Sequence, residues 1–241
     1  MADKTILGVG QIAIDGRVIE NPTTFEITLE YQDISLPNLG TPGGGEYDKK
    51  SRISTIGFSA TIHDFSAATL ARLLSGTASS VASSVISDES MTSRIGKLVI
   101  TAEVIDTAVS PVVTSDPAGT TYIEGTDYVV SSAGIRTLTG GAISDATAIL
   151  VSYTSYASGK VEMATSIASD VAVIFDGWND QENVPIVGEF YKVSIRGDGG
   201  LPLISEEYGA ATIQGSMLRD TTKTGGVSQY GKLMVGGVPV L

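Results

Sequence analysis

The chain has 241 residues, 42% of them hydrophobic and 17% charged, with a formal net charge of −12. That is enough apolar material for one or two cores, and too little charge density for a disordered chain. The absence of cysteine excludes disulfides, thiolate metal sites and cysteine nucleophiles, and the lack of a Lys/Arg stripe argues against binding nucleic acid through its phosphates.

In chain order, the opening "MADKTILGVGQIAIDG" lacks the basic and apolar regions of a secretory signal. Apolar runs are short and broken, so no membrane insertion by this chain is expected. "GVGQIA" at 8–13 fits a dinucleotide fingerprint, but an alternating segment follows where a helix is needed; a turn between extended segments is expected. In "TTFEITLEYQD", Phe25, Ile27, Leu29 and Tyr31 alternate with Glu26, Thr28, Glu30 and Gln32. That period of two predicts a half-buried antiparallel strand. "RISTIGFSATIHDF" repeats the pattern with Ile56, Phe58, Ala60 and Ile62.

Between them Pro37, Pro42 and Gly43-Gly44-Gly45 predict a long connection over 37–50. A structureless loop of about 15 residues in a compact domain is usually functional. Leu36, Leu39 and Tyr47 flank its glycines, and Asp48-Lys49-Lys50 ends it. Apolar anchors in a flexible loop point to ordering on a partner.

"DFSAATLARLLSG" predicts a short helix, with Asp64 or Ser66 as cap, an apolar stripe at Ala67, Leu70, Ala71 and Leu74, and Gly76 as terminator. "TASSVASSVISDES" reads as a Ser-rich connector and "GKLVITAEVID" as a strand. From 106 to 157 short strand-like runs alternate with turn signals at Asp116-Pro117, Gly125-Thr126-Asp127, Ala133-Gly134 and Gly140-Gly141. This piece has one arginine against five carboxylates. "KVEMATSIASDVAVIFDGWND" and "VPIVGEFYKVSIRGDGG" then predict strands ending in turns, "LPLISEEYGAATIQGSMLRD" a bulged strand or strand pair, and the last stretch an extended tail.

Little in the chain promises catalysis. His63 is the single histidine, so a triad or zinc site would lack partners. Glu206-Glu207 and Asp88-Glu89 are adjacent, and on a strand each pair would point to opposite faces. "DGWND" lacks the spacing of a calcium loop, and Arg196-Gly197-Asp198 runs into a turn. No catalytic, cofactor-binding or metal site is expected, and no enzyme activity.

Three stretches carry a resemblance to the tail tube proteins of tailed bacteriophages: 23–76, with strand, Gly-rich loop, strand and helix; "YIEGTDYVVSSAGIRTL" with "AILVSYTSYA"; and "VAVIFDGWNDQENVPIVGEFYKVSIRGDGGLPLISEEYGAATIQGSMLRD". The resemblance implies a mainly β chain: an antiparallel β-sandwich with one short flanking helix, whose subunits close into hexameric rings that stack into a DNA-conducting tube. On this basis 1–105 and 158–241 form the tube sandwich, and 106–157 is an inserted small β module. Leu36, Leu39, Gly43, Gly44, Gly45, Tyr47, Lys49 and Lys50 would then make the inter-ring or inter-subunit contact, and Glu26 and Glu30 would face the lumen. The implied partners are further copies of the chain, a tape-measure protein and tail-end or baseplate proteins. DNA would pass without specific binding, and the location would be the virion after assembly in the host cytoplasm. The alternative is a baseplate or fibre-associated module that binds host surface glycans through Trp178 and the tyrosines of the middle piece.

Overall fold

The computed structural model describes residues 6–19, 21–40, 42 and 44–236. In chain order the elements are β1 (Gly8–Ile14), β2 (Arg17–Ile19), β3 (Thr24–Pro37), β4 (Glu46–Ile62), α1 (Ala67–Leu73), β5 (Thr77–Val81), β6 (Val85–Thr92), β7 (Leu98–Ile100) and β8 (Val112–Ser115). They continue with β9 (Tyr128–Ser131), β10 (Gly134–Thr137), β11 (Ala148–Thr154), β12 (Ser158–Glu162), β13 (Ala168–Asn179), β14 (Val184–Asp198), β15 (Ala211–Met217) and β16 (Gly231–Val235). The protein is mainly β, its sheets are antiparallel, and α1 is the one α-helix among the described residues.

The chain divides into two compact units, 1–78 with 161–241, and 79–160. The second begins 27 residues before the boundary expected at 106. The cause is β6, read from sequence as part of a Ser-rich connector: it pairs with β11 from Thr92↔Ala148 to Val85↔Thr154. Its polar residues are used rather than solvated. Glu89 accepts from the Ala102 N–H (2.9 Å) and the Tyr153 hydroxyl (2.7 Å).

In the larger unit eight strands form one sheet, β2-β1-β13-β14-β15-β4-β3, with β16 on β14. β14 is its hinge. It pairs with β13 from Val184 to Ile195, with β16 over Ile186–Phe190 and with β15 over Val193–Asp198. A strand that changes partners halfway lets the sheet turn back on itself, an arrangement consistent with a β-sandwich. The core comes from both ends of the sheet: Ile12, Ile14 and Ile19 from β1 and β2, Phe58, Ala60 and Ile62 from β4, Val193 and Ile195 from β14, Ile213 from β15. Phe25 of β3 stacks on Phe175 of β13, centroids 5.1 Å apart and rings parallel. Cross-strand glycines make room for the rings: Phe58 lies opposite Gly215, where a Cβ would come within 2.3 Å of the ring.

α1 is held at its start by Asp64. Its carboxylate accepts from the Ser66 N–H (2.9 Å), the Thr69 hydroxyl (2.9 Å) and Arg17 (3.3 Å). These bonds outweigh the burial that opposes ionisation and keep its pKa below the ordinary carboxylate value. "GVGQIA" is strand rather than turn, since Gly8–Ile14 pairs with Asn179–Val173.

The 79–160 unit has its own core and two three-stranded sheets, β7-β10-β9 and β6-β11-β8. Val113, Ile149, Val151 and Tyr153 from one sheet pack with Tyr128 and Ile135 from the other, and with Ile105 and Ile143 from loops. Asp127 secures the approach to β9. It accepts from the backbone N–H groups of Ala142 (2.7 Å) and Ile123 (2.8 Å), which lower its pKa. Gly134 opens β10 rather than marking the turn before it.

Candidate assembly surface

Six of the fourteen residues expected as a loop over 37–50 are strand: Pro37 and Glu46–Lys50. β3 and β4 run on as one ladder to Pro37↔Glu46, so only 38–45 lie outside strands. Pro37 suits the last rung, having no N–H to pair. The turn is closed by the Asn38 N–H on the Gly45 carbonyl (2.8 Å), and Gly44 and Gly45 take φ of 68° and 108°, where a side chain is strained. Of the residues singled out, Leu36 stands on β3, Tyr47, Lys49 and Lys50 on β4, and Leu39, Gly44 and Gly45 in the turn. Gly43 lies outside the described residues.

β15 reaches β4 only from Gly57 to Ile62. Beyond that point Leu29–Pro37 and Glu46–Ile56 pair with each other alone, a two-stranded ribbon projecting about 30 Å at the usual strand rise. Nearly all of it is exposed, including Leu29, Tyr31, Ile34, Leu36, Leu39, Tyr47 and Ile53. Tyr31 shares the face of Leu29 by alternation, and a bulge in β4 brings Ile53 opposite it. Further out the alternation puts Ile34 and Leu36 on the opposite face, beside Lys50 and Asp48. Both faces therefore carry apolar side chains that this chain does not cover. Lys49 is tied back to Asp33 (2.8 Å), and the Lys49 ammonium and the Ser51 hydroxyl lower the Asp33 pKa.

Glu26 and Glu30 lie on the sheet face away from the core, where Glu26 pairs with Ser59 and Glu30 with Thr55. The same face continues across Gln214 and Ser216 of β15 to Arg196 and Ser194 of β14. Glu30, Thr55, Ser59, Gln214, Ser194 and Arg196 line an open, hydroxyl-rich groove of about 460 Å³ there. A second groove, about 910 Å³, runs along Gly8–Gln11, Phe25 and Phe175–Trp178. Trp178 is partly exposed there and its indole N–H donates to Asn183 (3.2 Å). Of the tyrosines of the middle piece, Tyr128 and Tyr153 are buried in the core of their own unit, Tyr122 packs against it, and Tyr156 is exposed.

Over residues 6–234 the sequence matches the family described as "Protein of unknown function UCP028589". The chain belongs to that family. No curated protein matches it. The span matched by UCP028589 contains the ribbon, the polar sheet face, the whole 79–160 unit and most of the larger one.

His63 is structural in its contacts. The Gly209 carbonyl can only accept, so Nδ1 donates to it (2.9 Å), and in the neutral ring Nε2 accepts from the Thr23 hydroxyl (2.6 Å). Among the described residues no three His, Asp or Glu side chains are grouped to hold a metal, and no helix is long and apolar enough to cross a membrane.

Sequence reasoning placed a turn at Gly199-Gly200 but missed the rest of the connection to Ala210, reading Leu201 onward as a bulged strand or strand pair. It is an irregular loop in which Leu203, Ile204 and Tyr208 are 85%, 97% and 96% exposed. Gly199-Gly200 and Pro202 were the available signal, because they interrupt any strand period.

Proposed function

We propose that this chain is a structural subunit of a bacteriophage tail, closing into rings that stack into the tube through which DNA is delivered. The observation that carries the proposal is the ribbon: twenty residues of paired strand, Leu29–Pro37 with Glu46–Ile56, apolar on both faces and exposed. A long edge of this kind invites pairing and aggregation unless a defined partner covers it. Joining sheets between subunits supplies such a partner and removes the free edge at β3. Hexameric closure is the expected symmetry.

The polar face through Glu26, Glu30, Ser59 and Gln214 suits the channel wall. The Glu26 and Glu30 carboxylates repel phosphate and oppose the attraction of Arg196 on the same face, which favours DNA sliding past without specific binding. In the tube, tape-measure and tail-end proteins are the further partners. The 79–160 unit is an added module on the outer surface, since it has a core of its own and its flanking strands β5 and β12 pair with each other.

Electron microscopy of the purified protein tests this: rings or hollow tubes are expected. A persistent monomer or trimer that binds glycans would contradict it and favour a receptor-binding module using the Trp178 groove. Replacing 82–157 by a short turn between β5 and β12 should leave tubes intact, and loss of all assembly would overturn the added-module assignment.

A further inference from the structure

The ribbon needs a receiving surface, and the larger unit presents one at its far end. β4 runs from Glu46 at the ribbon tip to Ile62, and Ile62 pairs with Ala211, the first residue after the 199–210 loop. Tip and loop therefore sit at opposite ends of a 17-residue strand, about 50 Å apart at the usual rise. They cannot meet within one chain.

Their chemistries match. Near the tip, Ile34 and Leu36 share a face with Lys50 and Arg52, and neither cation has an ion pair among the described residues. On the loop, exposed Leu203 and Ile204 are followed by exposed Glu206 and Glu207, with no Lys or Arg between 199 and 210. The loop is also anchored, because His63 holds the Gly209 carbonyl. Apolar groups nearly fully exposed beside unpaired charge, on an anchored base, are what a docking surface presents.

We infer that the ribbon tip of one copy docks on the 201–208 loop of a second copy, Ile34 and Leu36 against Leu203 and Ile204, with Lys50 and Arg52 against Glu206 and Glu207. The contact joins different surfaces at opposite ends of the molecule, so it is heterologous and propagates along one axis. The inference rests on the tube reading and adds which surface receives the ribbon.

The chain has no cysteine, so an engineered pair reports one contact. Leu36→Cys with Ile204→Cys should give a ladder of disulfide-linked chains under mild oxidant, well above Leu36→Cys paired with Val18→Cys. In parallel, Lys50→Glu/Arg52→Glu and Glu206→Lys/Glu207→Lys should each cut the assembled fraction at least tenfold, and combining them should restore it. All four charges are exposed, so thermal melts of the subunit should not move. If the unmodified chain assembles but the loop reversal has no effect, or the combination fares no better than either half, or the ladder does not exceed the control, the docking inference is overturned and the tube reading stands. If the unmodified chain never assembles, both fall.

Discussion

The two halves of the β3–β4 ladder share one backbone pattern and differ in everything around it. At the base, Phe25, Phe58, Ala60 and Ile62 face a core built from β1, β13, β14 and β15. Farther out, Leu29, Tyr31 and Ile53 continue that face and Ile34 and Leu36 take the other, and all five are exposed. The base is folded by its own chain. The distal half has hydrogen bonds but no burial, and an isolated two-stranded hairpin is marginal in water. Exposed apolar residues in such a place are what the proposed contact between subunits would cover.

Changes at the base should act on the folding of the single subunit, and changes in the distal half on association. Phe58→Ala should have the largest effect on the isolated subunit, about 3–5 kcal/mol lost in urea unfolding, because it opens a cavity opposite Gly215. Gly215→Ala should cost about 1–3 kcal/mol in the same measurement, since the added methyl meets the Phe58 ring and the Ser194 carbonyl oxygen, 2.8 Å away.

Asp64→Asn should cost about 1 kcal/mol by weakening the start of α1, and it should also change the acid limb. The Asp64 pKa is lower folded than unfolded. Its contribution is therefore complete above the unfolded value, about 4, and is lost as pH falls through the folded value. The stability-versus-pH curve of Asp64→Asn should lie flatter in that window.

In the distal half, Leu36→Asp and Leu39→Asp should each leave subunit stability within about 0.5 kcal/mol while abolishing tubes in micrographs. A comparable loss of subunit stability would erase the distinction between the halves. Smallest of all, Lys49→Gln removes an exposed ion pair with Asp33 and should leave the melting temperature unchanged, as such pairs are screened by water and salt.

Much of the base was readable from residues alone. The alternation at Phe25–Tyr31 and Ile56–Ile62 named the strands, and Phe25, Phe58, Ala60 and Ile62 the core face, whereas Ile27, Leu29 and Tyr31 of the same expected face are exposed; Asp64 with the Ala67–Leu74 stripe named the helix. The length of the ribbon was not readable. Prolines, glycines and Asp48-Lys49-Lys50-Ser51 look like a loop, because an exposed two-stranded ribbon needs no apolar face to mark it as strand; its rungs come from cross-strand pairing, which one strand's sequence does not encode. Leu36, Tyr47, Lys49 and Lys50 were singled out for their chemistry and fall within the ribbon. The β6 strand was hidden for a similar reason, its Glu89 and Ser90 side chains being satisfied by groups elsewhere in the chain, the Tyr153 hydroxyl and the Asp116 carboxylate. The 199–210 loop was hidden by its apolar content, which mimics a buried strand until the pairing of β15 shows that the ladder stops at Ala211.

The most direct test of the central claim is a cryo-electron microscopy reconstruction of the assembled full chain. Stacked rings are predicted, with residues 29–56 sealed against neighbouring copies and Glu26 and Glu30 facing an open channel. An assembly in which that ribbon stays in solvent, or a protein that stays monomeric at every concentration, would contradict the account.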